Sequence, residues 1–282
     1  MNELYKLSFH SNVHTYEYYG KTLVLYDDHR YLLNILFEAT KQQLFEGKIP
    51  NVIYFDYHDD ALETRIRAES LFKKHRINSI SEMQQRDFWT IVEFDLNHSD
   101  DDWVTTGMEL GLIQDVVCVG CEKYHNISSW ENHVYKSSRN TLHKGFYIGH
   151  LYYEIGSRGS LGDSMTANHP EYTDIRNIFN YQNDQFRDDP FVPYVLDFDL
   201  DCFTTICRDN TYAWPEKVFQ SEYFSPNNHS TNSFINKLIK KAAIITICRE
   251  PECCGGIGES NKILGYLDRY FFDGTLKTEP LL

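Results

Sequence analysis

The segment Asn51–Asp60, N-V-I-Y-F-D-Y-H-D-D, joins a short apolar run to four ionisable side chains. The apolar part, 52–55, has the length and the β-branched and aromatic content of a buried strand. Because strand side chains alternate, Asp56, His58 and Asp60 face one side, and a loop beginning after His58 would bring them closer together. Two carboxylates and an imidazole buried together are costly unless a cation binds them. The segment therefore predicts a divalent-metal site at the carboxyl end of a core strand.

A second polar group follows an earlier strand. Residues 21–26, K-T-L-V-L-Y, predict a strand that is followed at once by Asp27, Asp28 and His29, and then by apolar residues at helical spacing. Strand, helix and strand in this order predict a parallel sheet, in which ligand sites gather beyond the carboxyl ends of the strands. We therefore expect His29 near the Asp56–Asp60 cluster.

A third group lies in residues 191–203, F-V-P-Y-V-L-D-F-D-L-D-C-F. Residues 192–196 predict a core strand, after which Asp197, Asp199 and Asp201 alternate on one face with apolar residues on the other. Like charges on one face of a buried strand repel strongly unless a cation neutralises them. This segment independently favours metal binding.

The remaining pattern predicts the fold class. Residues 116–119 and 243–248 are typical of buried strands, and 103–112, 234–243 and 262–272 are typical of helices. We predict an α/β fold with three α/β/α layers and a mainly parallel central sheet. One domain spans 1–282, with a loop-rich insertion around 122–190.

Composition limits the partners and the compartment. The formal charge of −14 disfavours nucleic acid, which needs a basic footprint, and favours a cationic substrate or metal. The polar start, Met1–Gly20, and the lack of any apolar run of about 20 residues predict no signal segment and no membrane partner. Seven cysteines, an odd number, favour a reducing cytoplasm. The sequence is compatible with either a monomer or an oligomer.

The ordered motifs resemble the arginase/deacetylase superfamily, whose ureohydrolases bind two manganese ions on G-G-D-H, D-A-H-x-D and S-x-D-x-D segments. Asp28-His29 resembles the first segment, 56–60 the second and 197–201 the third. The set resembles more specifically the peptide arginases of ribosomal-peptide (RiPP) biosynthesis, which convert arginine side chains of a precursor peptide into ornithine. This resemblance covers the strands that carry ligands from about residue 22 to 256.

The resemblance implies two Mn²⁺ ions, with other first-row divalent metals as alternatives, and a set of six metal ligands. These are His29, Asp56, His58, Asp60, Asp199 and Asp201. If the serine of the third motif aligns with Asp197, the ligands are Asp199 and Asp201. A shift by two makes them Asp197 and Asp199. We prefer the first register, because Asp199 and Asp201 then occupy the two aspartates of that motif and Asp197 is left as an outer partner of the ligands.

Most catalytic and substrate-binding roles follow from the same resemblance. By this resemblance Asp60 would bind the attacking water as well as a metal. His98 is the expected general acid by its position in the acidic segment 94–102, not by the resemblance, and His125, His133, His143 and His150 are competitors. Glu250 and Glu252 follow the last core strand, where ureohydrolases keep a carboxylate that pairs with guanidinium. Asp197 joins these two as a candidate substrate-binding group.

Departures from ordinary arginase favour a larger substrate than free arginine. In the third motif, Cys202 and Phe203 stand where arginases have D-P. In the first motif, Tyr26 and Asp27 replace the two glycines before D-H. The arginase segment with the proton-shuttling histidine is not recognisable in this sequence. The leading interpretation is a binuclear manganese hydrolase that converts peptidyl arginine to ornithine and releases urea. The alternatives are a single-zinc deacetylase or amidohydrolase of the same fold, a ureohydrolase of free guanidino compounds, and a metal-binding scaffold without activity.

Overall fold

The structure is a computed structural model that describes residues 13–96, 102–120, 134–150, 193–207, 210–216, 219 and 231–277. Most of the predicted insertion at 122–190 lies outside these ranges. Among the described residues, no helix has the length and apolar character needed to cross a membrane.

The chain alternates strands and helices over most of its described length. The strands are β1 (His14–Tyr18), β2 (Lys21–Tyr26), β3 (Asn51–Phe55), β4 (Val116–Gly120), β5 (Val134–Lys136), β6 (Leu142–His150), β7 (Tyr194–Asp199), β8 (Thr204–Cys207), β9 (Asn210–Ala213) and β10 (Ile244–Cys248). The α-helices are α1 (Leu32–Lys41), α2 (Ala68–His75), α3 (Gln85–Phe94), α4 (Trp103–Leu110), α5 (Thr231–Lys241) and α6 (Ile257–Phe271). Short 3₁₀ turns occupy His29–Tyr31, Ile80–Glu82 and Leu200–Phe203.

Among the described residues, eight strands form one sheet in the order β1-β2-β10-β7-β3-β4-β6-β5, and β8 and β9 form a separate hairpin. Neighbours from β2 through β6 in this order are parallel, whereas β1 and β5 run antiparallel at the two edges. The sheet is therefore mainly parallel, as predicted. Although β2 and β3 flank one helix in sequence, β10 and β7 lie between them in space.

The two faces of the sheet carry separate hydrophobic cores. Val24 and Val52 pack with buried residues of α1–α4, whereas their neighbours Leu23 and Ile53 pack with buried residues of α5 and α6. This alternation follows from the two-residue period of strand side chains. It makes three layers, helix on sheet on helix, and confirms the predicted fold class.

The predicted elements differ from the observed ones mainly at their ends. The last aspartate of 197–201 lies in a 3₁₀ turn, because β7 ends at Asp199 and the chain bends there. The closing helix begins five residues earlier than the predicted 262, directly after the glycine turn. The edge strands β1 and β5 and the β8–β9 hairpin were not predicted, since their sequences have little buried apolar content.

Candidate metal centre

Four parallel strands bring the predicted side chains together at their carboxyl ends. Cys248 on β10 pairs with both Tyr26 on β2 and Asp199 on β7, and Phe55 on β3 pairs with Phe198. The carboxyl ends of these strands are therefore level with one another. The polar residues that follow each strand meet there, which is where open α/β sheets bind their ligands.

His29 stands at the centre of one group of carboxylates. Its Nδ1 lies 2.9 Å from Asp60 Oδ2, 3.1 Å from Asp199 Oδ2 and 3.4 Å from Asp56 Oδ2. Asp28 accepts a hydrogen bond from the Arg30 backbone at 3.1 Å and so caps the short turn that carries His29. We call His29, Asp56 and Asp60 the His29 triad; their potential ligand atoms lie within 4.8 Å of one another.

A second group shares one carboxylate with the first. Asp56, His58 and Asp201, the His58 triad, also place one potential ligand atom each within 4.8 Å of the others. His58 Nδ1 is 2.9 Å from Asp201 Oδ2 and 3.8 Å from Asp56 Oδ1. The His58 side chain is 41% exposed, so this group opens towards solvent, whereas His29 is buried. A shared carboxylate between two groups is the arrangement that two neighbouring cations require.

The donor set fits first-row divalent metal ions. Asp56 Oδ2 is buried and accepts no hydrogen bond from any described residue, so it is left with unused acceptor capacity. Carboxylate oxygen mixed with imidazole suits manganese and its neighbours better than thiolate-selective metals. The described residues of the two triads, together with Asp199, could hold two ions with Asp56 between them.

The pKa shifts reflect the charge crowding in this group. Burial raises the pKa of Asp56 well above its usual value, and the carboxylates of Asp60, Asp201 and Asp199 raise it further. Burial, with a contribution from Asp201, raises the pKa of Asp199 to about 7. Burial lowers the pKa of His58, but the hydrogen bond to Asp201 and the charges of the nearby carboxylates together outweigh this and raise it to about 9. Without a cation, the group therefore retains protons that a metal would displace.

Asp197 lies behind His29 and does not face the open side of the site. Its Oδ2 accepts from His29 Nε2 at 2.8 Å, and its Oδ1 accepts from the hydroxyls of Tyr26, at 2.9 Å, and Thr246. The side chain has no exposed surface. The substrate-binding role expected from sequence does not fit this placement, because both oxygens are already bonded inside the protein. Asp197 instead orients His29, and the placement corresponds to the register with Asp199 and Asp201 as ligands.

Glu250 and Glu252 diverge after β10. Glu250 Oε1 accepts from the His29 backbone N–H at 3.2 Å, and its carboxylate groups with His29 and Asp199 within 4.8 Å. Burial and the charge of Asp199 raise the pKa of Glu250 well above its usual value. Glu252, in contrast, is exposed. Of the two predicted substrate-binding acids, the structure brings Glu250 to the site.

Two contacts that hold the site had no signal in the sequence. Trp103 Nε1, at the start of α4, donates to Asp60 Oδ2 at 2.5 Å, and Tyr54 donates to the Asp59 carbonyl at 2.6 Å. Asp60 and Glu250 both have positive φ, 47° and 31°, a region that non-glycine residues adopt rarely. Such backbone conformations persist where surrounding contacts fix them, and they concentrate at functional sites.

Most candidate general acids lie outside the described part of the chain. His98, His125 and His133 fall in undescribed ranges, and the side chain of His150 is likewise not described. His143 is described: it lies near the amino end of β6, and its Nδ1 is 2.6 Å from the Gln114 carbonyl. Since the candidate ligands lie at or just after the carboxyl ends of the strands, His143 is at the opposite end of the strands and cannot reach the site.

No protein-family model matches the sequence, and no curated protein matches it. Among solved structures, formimidoylglutamase from Bacillus subtilis subsp. subtilis str. 168 is similar, with a TM-score of 0.44 and 11% identity over 91% of this chain and 61% of that one. Proclavaminate amidino hydrolase from Streptomyces clavuligerus is similar with a TM-score of 0.42 and 11% identity, over 91% of this chain and 65% of that one. The chain thus spans less than two thirds of the length of either structure.

Proposed function

We propose that this protein is a binuclear manganese hydrolase that converts peptidyl arginine to peptidyl ornithine and releases urea. The observation that carries the proposal is the pair of ligand triads that share Asp56, with the Glu250 carboxylate beside them. In this proposal the imidazole and carboxylate groups of the two triads bind two cations, and the carboxylate of Glu250 binds a cationic substrate.

Each residue has a stated role in the proposed reaction. When bound, the two ions act as Lewis acids that lower the pKa of a water molecule towards neutrality. Glu250 binds the guanidinium, because a carboxylate matches its fork of N–H donors. In the metal-free protein, burial acts to raise the pKa of Asp60, but the hydrogen bond and charge of His29, the charge of His58 and the hydrogen bond from Trp103 together lower it. With His29 bound to a metal, Trp103 would remain as the donor to Asp60, which orients the attacking water as an acceptor.

The proposed reaction consumes one water. Its oxygen forms a bond to the guanidinium carbon, the bond from that carbon to the side-chain nitrogen breaks, and urea leaves. The departing amine needs a proton, which we assign to His98 from its place in the acidic sequence segment 94–102. A peptide rather than free arginine is the proposed substrate, on the strength of the motif departures around 26–27 and 202–203.

A combined metal and product measurement tests the proposal. The purified protein is expected to bind about two manganese ions per chain and to release urea from arginine-containing peptides. The peptide product should lose the mass of cyanamide, the difference between a guanidino group and an amine. Peptides with lysine in place of arginine, and free arginine, should give no urea. Failure to turn over any arginine peptide in the presence of manganese would contradict the proposal.

A matched pair of variants tests whether metal binding depends on the proposed ligands or only on the presence of acidic side chains in this region. Asp199→Ala should lose bound metal and urea release, because Asp199 lies 3.1 Å from His29 Nδ1 inside the cluster. Asp28→Asn is the control: Asp28 is the neighbour of His29 in sequence, but its carboxylate pairs with Arg30 at 2.6 Å. Loss of bound metal in both variants would mean that metal binding does not depend specifically on the proposed ligands.

A second candidate, a single-zinc amidohydrolase, is favoured by the position of His29. Burial lowers the pKa of His29, but Asp197 and the other carboxylates outweigh this and raise it well above its usual value. A protonated His29 would itself neutralise the buried carboxylates and leave only the His58 triad for a metal. In that case His29→Ala would retain one metal and amide hydrolysis, whereas the binuclear enzyme would lose activity in the same variant.

A further inference from the structure

The indole of Trp103 contacts two of the candidate ligands at once. Its Nε1 donates to Asp60 Oδ2 at 2.5 Å, and its ring centre lies 4.7 Å from that of His29. It also meets the ring of Tyr54 edge-on, at 5.3 Å, and has no exposed surface. Because an indole N–H can only donate, Trp103 binds no metal itself and acts on the site through Asp60.

The first turn of α4 also fixes the main chain of Asp60. The backbone N–H of Val104 donates to the Asp60 carbonyl at 3.2 Å. The Thr105 hydroxyl donates to the Leu62 carbonyl and accepts from the Thr64 backbone N–H at 3.1 Å. These bonds support the positive φ of Asp60, 47°, which residues other than glycine rarely adopt. The side chain and the backbone of Asp60 are thus both held by one end of one helix.

The two oxygens of the Asp60 carboxylate have different surroundings. Trp103 Nε1 and His29 Nδ1 both lie against Oδ2, at 2.5 Å and 2.9 Å. Since a carboxylate turns about its Cβ–Cγ bond in a broad, roughly two-fold potential, such contacts decide which oxygen faces which partner. They hold Oδ2 towards His29 and leave Oδ1 for another partner.

Asp60 is also the candidate carboxylate ligand that solvent reaches most easily. Its side chain is 9% exposed, whereas the side chains of Asp56 and Asp199 are 1% exposed and that of Asp201 is 2% exposed. A water molecule that enters the site can therefore contact Asp60 more readily than the three acids behind it.

We propose that Trp103 is a positioning residue that directs Asp60 Oδ2 towards the cation position beside His29 and so keeps Oδ1 as the acceptor for the attacking water. The role of Oδ1 rests on the proposed function. A carboxylate without this restraint can turn and offer both oxygens to one ion, since carboxylates bind metals through one oxygen or through two. Loss of the indole N–H should therefore add a ligand atom beside His29 and remove the acceptor for the water.

Three replacements separate the N–H of the indole from its bulk. Benzothienylalanine at position 103 keeps the shape of the ring system but has sulfur in place of the N–H, whereas Trp103→Phe removes the N–H and part of the ring. Trp214→Phe is the matched control, because Trp214 is equally buried but its Nε1 donates to the Thr204 carbonyl at 2.6 Å. Circular dichroism of all three should match that of the wild type.

Cobalt(II) gives a readout that does not depend on activity. It is a first-row ion that accepts the same oxygen and imidazole ligands, and its visible absorption weakens as the number of ligand atoms rises. With cobalt chloride added to the chelated protein, the benzothienylalanine variant should show weaker bands than the wild type, and Trp214→Phe should match the wild type. Bands that are unchanged with benzothienylalanine would overturn the role of Trp103.

The second readout is urea release from an arginine-containing peptide in the presence of manganese. Outer partners of metal ligands contribute about 10–100-fold to affinity or activity, so kcat should fall by about this factor with benzothienylalanine. KM should change little, because the proposed guanidinium carboxylate, Glu250, is held by the backbone N–H of His29. A loss of kcat confined to Trp103→Phe would assign the effect to packing and overturn the proposal.

The outcomes separate this inference from the proposed function. If the cobalt bands depend on the N–H of Trp103 but the wild type releases urea from no peptide, the placement of Asp60 by Trp103 stands and the proposed hydrolase falls. If the wild type is active and benzothienylalanine changes neither the bands nor kcat, the hydrolase stands and the positioning role falls.

Discussion

His29 and Asp197 form a buried pair in which Nε2 donates to Oδ2 over 2.8 Å. With a carboxylate oxygen as the acceptor, this contact places a proton on Nε2 and leaves Nδ1 as the nitrogen that faces Asp56, Asp60 and Asp199. A carboxylate that fixes the tautomer and orientation of a metal-binding histidine is a recurrent outer partner of such sites.

The first prediction tests this positioning role. In Asp197→Asn the amide oxygen would keep the hydrogen bonds from Tyr26 and Thr246, so its NH₂ group would face His29 Nε2. This geometry favours the tautomer with the proton on Nδ1, the atom needed for metal binding. Manganese affinity should fall about 10–100-fold, measured by calorimetric titration.

The control for that prediction is Tyr26→Phe. It removes one donor to Asp197 Oδ1 but leaves the contact between Asp197 and His29 intact. We expect a clearly smaller loss of manganese affinity than in Asp197→Asn. Equal losses in the two variants would indicate a general packing effect rather than control of the His29 tautomer.

The second prediction concerns metal removal. The buried carboxylates of Asp56, Asp199 and Asp201 repel one another unless a cation lies between them. Each manganese ion, at 100 times its dissociation constant, should add about 2.7 kcal/mol to the free energy of unfolding, and the Tm should rise by several degrees. Chelation should reverse the shift in differential scanning fluorimetry. A Tm that does not respond to manganese would contradict the assigned ligand set.

The third prediction is the pH dependence of the metal-free protein. Burial raises the pKa of Asp199 from 3.8 to about 7, so between these values the folded state binds more protons at this residue than the unfolded state. The contribution of Asp199 to stability is therefore most favourable at acid pH and declines as the pH rises towards about 7. Urea denaturation of chelated protein across this window should show the decline.

Bound manganese should reverse that trend. Since the metal needs ionised carboxylates, its stabilising effect should grow over the same pH window. In Asp199→Asn the metal-free decline should be smaller, because this titrating group is absent. If the stability of the metal-free variant declined equally as the pH rises, residues other than Asp199 would be responsible.

The fourth prediction concerns a buried acid that is not part of the candidate metal centre. Glu109 on α4 accepts hydrogen bonds from the backbone of Ala68 at 2.8 Å, the backbone of Ser138 at 2.8 Å, the Tyr135 hydroxyl at 2.9 Å and the Ser138 hydroxyl. Burial alone would raise the pKa of Glu109, but these donors lower it overall. Glu109→Gln should cost about 2 kcal/mol of stability near neutral pH, because charge-assisted hydrogen bonds are lost.

The sign of the Glu109 effect can be checked by acid titration. A lowered folded-state pKa means that the ionised form contributes stability above the unfolded value of 4.5, and that this contribution is lost as the pH falls through the folded pKa. The difference between wild type and Glu109→Gln should therefore shrink at acid pH. Glu17→Gln, an exposed acid on β1, is the control and should change stability little at any pH.

Local sequence pattern predicted the elements that carry the candidate ligands. β2, β3, β7 and β10 are short apolar runs with abrupt polar ends, and burial on both faces of a parallel sheet requires such runs. The candidate ligands are the ionisable residues at or just after the end of each of these strands. The edge strands and the β8–β9 hairpin could not be predicted in this way, because half-exposed strands with mixed residues have no distinctive period.

Sequence by itself determined which residue types stand at the ends of the core strands, because alternation and strand length are local properties of the chain. Only the tertiary structure decided which of them meet. The order β2-β10-β7-β3 brings Glu250 to the backbone of His29 across 221 positions of sequence, and Asp197 to its ring across 168. Pairing between distant strands depends on the packing of the whole sheet, so the separate roles of Asp197, Glu250 and Glu252 could not be read from their spacing.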